Sequence, residues 1–163
     1  MCHKRRIGIA GLLIMLVMCA CKPKTFRQSS GSMEPTIKRG EVILADMAAY
    51  SRTAPARWDA IIFIDPKSGR PCCSRVVGLP GESVEIRARG IFINGTNALL
   101  PAHLTNISYV ADIPGGPSSA VSFPFSVPAG SYFVLGDNST NAYDSRFWGA
   151  LPAMSITGRV TGK

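Results

Sequence analysis

Apolar positions along this chain fall into two regimes. From Ile7 to Cys21 small and apolar residues run on without a charge, whereas beyond Thr36 apolar residues come in short bursts separated by Gly, Pro, Asn and Asp. Bursts of that length, bounded by turn residues, predict strands. Val42-Ile43-Leu44-Ala45, after a Lys38-Arg39-Gly40-Glu41 turn, reads as a buried strand. Asp59-Ala60-Ile61-Ile62-Phe63-Ile64 reads as another, closed by the turn residues Asp65-Pro66-Lys67-Ser68-Gly69. Cys72-Cys73-Ser74-Arg75-Val76-Val77 stops at Gly78-Leu79-Pro80-Gly81, and Val84-Glu85-Ile86-Arg87 alternates as a half-buried strand should. Gly90-Ile91-Phe92-Ile93 ends in Asn94-Gly95, a strong hairpin turn. Ser131-Tyr132-Phe133-Val134-Leu135 is a last strand that runs into the polar loop from Gly136. No long amphipathic helix is expected. Residues 96–124, rich in Asn, Pro, Gly and Ser, are expected to be a surface insertion, with His103 on the surface.

The apolar run is the first candidate for a separate unit. Fifteen helical residues rise about 22 Å, short for a bilayer core but workable with snorkelling lysines. Basic residues before it place its N-terminus in the cytoplasm and the rest of the chain across the membrane. A cleaved signal peptide and a lipoprotein signal ending near Cys19 or Cys21 share this anatomy, and both stay open. The division is then 1–27 for anchor and flank, and 28–163 for a β domain.

Charge points the same way. The net charge is +8, but Lys4, Arg5, Arg6, Lys22, Lys24 and Arg27 supply six of the eighteen basic residues. From Gln28 onward twelve basic residues face ten acidic ones, a balance of +2 with no basic run. Nucleic acid is therefore not an expected partner, and membrane lipid is. None of the five cysteines has metal-ligand spacing, and His3 and His103 are the only imidazoles. No metal and no organic cofactor are expected. Cys72 and Cys73 are read as thiols on opposite faces of a strand, because neighbouring cysteines make a strained disulfide.

Candidate chemistry lies in Ser30-Gly31-Ser32-Met33-Glu34-Pro35-Thr36. Pro35 keeps Glu34 out of the helical region, so the segment is extended or turned and Ser32 can present its hydroxyl. The plainer reading is a polar linker leaving an anchor. A second polar segment, Asn138 to Arg146, is pinned between a buried strand and Trp148, as a positioned functional loop is.

Together these segments resemble the type I signal peptidases, membrane-anchored serine endopeptidases that remove signal peptides from exported proteins. Ser32-Met33-Glu34-Pro35-Thr36 resembles the family's serine motif, and Gly40-Glu41-Val42 its next box. Arg75-Val76-Val77-Gly78-Leu79-Pro80-Gly81-Glu82 resembles its central box, and Gly136-Asp137-Asn138 through Asp144-Ser145-Arg146-Phe147-Trp148-Gly149 its last. The resemblance implies a bent, mostly antiparallel β domain after one N-terminal transmembrane helix, at the inner membrane with the β domain outside the cytoplasm. It implies Ser32 as nucleophile, an oxyanion hole from the Ser30 hydroxyl and the Ser32 N–H, and an Asp144–Arg146 pair that steadies the last loop. It also implies substrates that are exported preproteins, bound as an added strand with small side chains at positions −3 and −1.

Two positions depart from the family. Its general-base lysine stands directly before the central arginine, where this chain has Ser74, and the hydroxyl that holds that lysine is here Ala142. A serine attacks a peptide carbonyl only if a base takes its proton, and Ser74 is no such base. Lys38, Lys67 or water could act instead, or the chain binds preprotein cleavage regions without cutting them. Ser32 and Ser74 are expected to face each other across adjoining strands with Ala142 close by. The self-cleaving repressors share a Gly-Ser-Met near the nucleophile, but they need a helix-turn-helix where this chain has its apolar run.

Overall fold

The computed structural model describes residues 23–87, 90–113, 116 and 118–163, which form two antiparallel sheets. Strands β1 (Lys24–Arg27), β2 (Val42–Asp46), β3 (Ala60–Ile64) and β4 (Pro71–Gly78) are followed by β5 (Ser83–Arg87), β6 (Gly90–Ile93) and β7 (Thr96–Asn97). The rest are β8 (Phe125–Ser126), β9 (Ser131–Leu135), β10 (Leu151–Pro152) and β11 (Ile156–Gly162), with a single α-helical turn, α1 (Ser145–Trp148), among the described residues. The larger sheet has the order β1-β2-β11-β3-β4-β9-β10, the smaller β7-β6-β5-β8. Register shifts at Val76/Gly78 and within β11 at Ile156/Gly158 and Val160/Gly162 bend the larger sheet, as bulges do.

Every strand anticipated from an apolar burst is present, with ends that differ by a residue or two. The Asn94-Gly95 turn joins β6 to β7 with both residues at positive φ, 50° and 78°. β11 is the strand the pattern hides. Its sequence holds Gly158 and Gly162 and does not alternate cleanly, yet it runs between β2 and β3 and joins the two halves of the sheet. β1 begins the sheet at Lys24, ahead of the 27/28 boundary that charge suggested, because Phe26 packs against Ile43 and its neighbours. The expected anchor, residues 7–21, lies outside the described residues. Among the described residues no helix is long and apolar enough to cross a membrane.

Three apolar clusters hold the sheets. Val77, Phe133 and Leu135 of the larger sheet face Val84, Ile86, Ile91 and Ile93 of the smaller one. Residues 96–124 contribute Leu104, Ile107 and Tyr109 to this cluster, so part of the expected surface insertion is a wall of the core, while His103 is exposed. These three recur at no strand or helix period, which is why the pattern concealed them. A second cluster joins Met33 and Ile37 to Ile43, Ile62 and Cys73, and so seats the turn that carries Ser32 on the sheet. Cys72 packs instead with the third cluster, around Ile61, Phe63 and Val134, so the two free thiols do lie on opposite faces of β4.

Candidate active site

Three stretches far apart in sequence meet at an open strand edge. β4 pairs with β3 from Pro71 to Arg75 but with β9 only from Arg75 onward, which leaves residues 71–74 without a partner on that side among the described residues. A cavity of about 530 Å³ lies there, lined by Ser74 and both cysteines from β4, by residues 26–30 and Ser32, and by Ala142 and Asp144 from the last loop. Ser30, Ser32, Ser74, Ala142 and Asp144 thus share one cavity, with Arg146 behind it.

Ser32 lies not on a strand but in the turn that follows β1, so it does not face Ser74 across adjoining strands. The turn runs on through Thr36, closed by the Ile37 N–H to Met33 O bond at 2.9 Å, and Pro35 inside it has no N–H to give to a strand. Ser32 Oγ is 3.0 Å from Ser30 Oγ and 3.4 Å from Gln28 Nε2. The Ser32 N–H points at Ser30 Oγ, 3.5 Å away. Among the described residues neither an amine nor Ser74 is a hydrogen-bond partner of Ser32. Ser74 is 7% exposed and lines the cavity. Lys67 lines the same cavity from the β3–β4 turn, whereas Lys38 does not.

The thiols are not alternative bases at neutral pH. Burial, with Asp137 nearby, pushes Cys73 up to about 12, and burial raises Cys72 as well. Besides hydroxyls and thiols the lining therefore holds one lysine, Lys67, one arginine, Arg27, and two carboxylates, Asp65 and Asp144.

Two buried ion pairs fix this geometry. The Asp137 carboxylate accepts from Arg75 Nε at 2.7 Å and Nη2 at 2.6 Å, from the Tyr109 hydroxyl at 3.0 Å, and from the Thr36 hydroxyl. The strand bearing Ser74, the turn bearing Ser32 and the segment bearing Tyr109 are thereby tied to one carboxylate. The next residue completes the clamp: Asn138 donates its backbone N–H to Ser32 O at 2.9 Å and its side-chain amide to Gly31 O at 3.1 Å. Arg146 is fully buried, and its Nε is 2.8 Å from Asp144 Oδ1 while Nη2 reaches Ser139 O at 2.7 Å. Asp144 also caps α1 and accepts the Gly136 N–H at 3.0 Å.

Gly136 is where the clamp closes on Ser32. A Cβ there would stand 2.6 Å from the Ser32 carbonyl oxygen and overlap Ala142 Cβ. Gly136→Ala is therefore expected to cost roughly 1–3 kcal/mol of stability, as overpacking does, and to shift the Ser32 turn. Thermal melting checks the first effect, and a melting curve equal to wild type would show that the backbone has room.

A profile of the family described as "Signal peptidase, peptidase S26" matches residues 3–162, nearly the whole chain. The chain belongs to the type I signal peptidase family. It is 35% identical over 139 residues to signal peptidase I of Leptolyngbya laminosa, a match that covers 80% of this chain and 63% of that protein's length. It is 35% identical over 147 residues to signal peptidase I U of Bacillus subtilis, covering 90% of this chain and 76% of that protein. Signal peptidase I V of the same organism is 29% identical over 164 residues and covered over 97% of its length. A signal peptidase I structure from Enterococcus faecalis superposes with a TM-score of 0.52 at 34% identity, covering 67% of this chain and 98% of that one.

Within this signal peptidase fold, sequence motifs did not single out Gln28, Thr36 or Tyr109. Thr36 stands inside the serine motif, so its signal was present. Tyr109 carries none, because its partner Asp137 is brought to it by the fold, whereas Gln28 lies only two and four residues before Ser30 and Ser32 and was passed over as part of a polar stretch.

Proposed function

We propose that the chain is a signal-peptidase-type serine endopeptidase that binds preprotein cleavage regions and cuts them slowly, for want of an amine base. The carrying observation is the pair of hydroxyls 3.0 Å apart, Ser30 and Ser32, beside the unpaired edge of β4. An extended peptide can add to that edge as a strand and so bring a carbonyl to Ser32. In this reading Ser32 is the nucleophile. Ser30 Oγ and the Ser32 N–H are the oxyanion donors, and Asp144 with Arg146 holds the loop. Ser74 stands where the family keeps its lysine, and Ala142 where it keeps that lysine's hydroxyl partner. The preferred substrates carry small residues at −3 and −1. Residues 1–27 are the anchor and its flank, single-pass with the N-terminus in the cytoplasm, and Lys24–Arg27 serve also as the first strand.

The absence of an amine partner for Ser32 among the described residues also favours a second reading, binding without hydrolysis. Incubation of the full-length protein with a model preprotein, followed by mass spectrometry, separates the two. Slow cleavage after a small residue, abolished by Ser32→Ala, is the expected result. Cleavage that survives Ser32→Ala would refute the nucleophile, and capture of the preprotein with no product would establish the binding reading.

A further inference from the structure

Resting on the assignment of Ser32 as nucleophile, we propose that Gln28 is a positioning residue that fixes the directions of the Ser30 and Ser32 hydroxyl protons. Gln28 is 7% exposed, and its backbone is held on both sides: its N–H donates to Glu41 O at 2.8 Å and its carbonyl accepts the Gly40 N–H at 2.7 Å. The side chain of this well-held residue turns into the cavity. Its Nε2 lies 3.2 Å from Ser30 O, 3.4 Å from Ser30 Oγ and 3.4 Å from Ser32 Oγ.

Counting donors and acceptors settles the orientation. The Ser30 carbonyl can only accept, so the end of the carboxamide that faces it is the NH2; a flipped amide would oppose two acceptors. One amide proton serves that carbonyl and the other lies between the two hydroxyl oxygens. Ser30 Oγ also faces the Ser32 N–H at 3.5 Å, so its lone pairs meet two donors. Its own proton is left to point at Ser32 Oγ, 3.0 Å away. Ser32 Oγ then accepts from both Ser30 and Gln28, which turns its proton outward into the cavity.

That order is the one attack on a carbonyl requires. The Ser32 proton faces the space from which a base or water removes it. Ser30 keeps a donor that can swing with the Ser32 N–H onto a developing oxyanion, while Gln28 continues to fill the Ser30 lone pair. Bonds of 3.4 Å in the resting site are long, as catalytic hydrogen bonds often are before substrate tightens them. Without the amide the Ser30 hydroxyl keeps only its contacts with Ser32, either atom of the hydroxyl pair can then be the donor, and part of the ordering falls on the transition state.

Equilibrium binding of a tetrahedral adduct tests this without a base, since a base changes how fast the adduct forms far more than how stable it is. The probe is a short peptide boronic acid with an alanine-like side chain beside boron, added to the full-length chain in detergent micelles. Ser32 Oγ adds to trigonal boron, one B–O bond forms, the hydroxyl proton passes to water, and a boronate oxygen occupies the oxyanion position. The same peptide as a carboxamide reports binding to the groove alone. Gln28→Met, which keeps length and removes the donor, is expected to weaken the boronate about tenfold more than it weakens the carboxamide. Ser30→Ala should weaken the boronate by a similar factor. Adding Gln28→Met to it should then cost less than about twofold more, since Gln28 acts through that hydroxyl. Equal boronate affinity in Gln28→Met and wild type would overturn the positioning role, and so would a full further loss in the Ser30→Ala background. If boron NMR shows no adduct in the wild type, and the boronate binds no tighter than the carboxamide, the nucleophile assignment fails and the role of Gln28 with it.

Discussion

Ser74→Lys combined with Ala142→Ser is expected to raise preprotein cleavage by roughly 10²–10⁴-fold, the usual yield of a positioned general base. Ser74 opens into a cavity of about 530 Å³ that Ser32 also lines, so a lysine has room to extend toward the hydroxyl. The apolar part of the lining, including Ile43, Ile62 and Phe63, would desolvate the amine and lower its pKa, which favours the neutral form that can take a proton. The sign of the pH dependence follows. Only the uncharged amine is a base, so the variant's rate should rise as pH climbs through the lowered pKa, and the wild type should lack that titration. Lys alone is expected to gain less, because the Ala142 position then offers no hydroxyl to aim the amine. Ser32→Ala in the double variant should abolish the gain. A folded double variant with no gain would favour binding without hydrolysis. Fast Ser32-dependent cleavage by the wild type would mean that a base is already present, and Lys67, on the rim of the same cavity, is the residue to change next.

Arg146→Met is expected to destabilise the domain by about 3–5 kcal/mol, the cost of stranding one member of a buried ion pair. The side chain is 0% exposed, and its loss would leave Asp144 and the carbonyls of Val110, Ser139 and Ala142 short of a donor. Thermal melting should show a fall of about 10 °C or more. Replacing Asp144 and Arg146 together by apolar residues should cost less than the single change, because no charge is then left unpaired. The Arg87–Glu85 pair is the control: its Arg87 side chain is 48% exposed, and Arg87→Ala should leave the melting curve in place. Equal small shifts in Arg146→Met and Arg87→Ala would show that the buried pair adds nothing to stability.

Strands were legible where burial and period coincide. β3, β4 and β9 are buried at most of their positions, and β2, expected as a buried strand, is buried only at Ile43 and Ala45 while Val42 and Leu44 are apolar but exposed; all four still read as apolar bursts ended by turn residues. β8 and β10 are two residues each and β11 is broken by glycine, so no periodic signal marks them. Leu104, Ile107 and Tyr109 look like loop residues because what buries them is Phe133 and the small sheet, brought there by long-range pairing.

The site divides in the same way. The motifs around Ser32, Arg75 and Asp144 determined the family and named the candidate residues, Ser74 among them, because side-chain identity is written in the chain. Only the tertiary structure decided which of them meet. Asp137 gathers Arg75, Tyr109 and Thr36 from segments separated by up to 101 residues, and Asn138 holds the Ser32 turn, through hydrogen bonds whose partners no local pattern links. Gln28 is near the hydroxyls in sequence, but the direction of its side chain is set by the backbone bonds that hold it to Gly40 and Glu41. A residue's chemistry is local and can be read in order; its partners depend on how the strands pair, and that is a property of the folded chain alone.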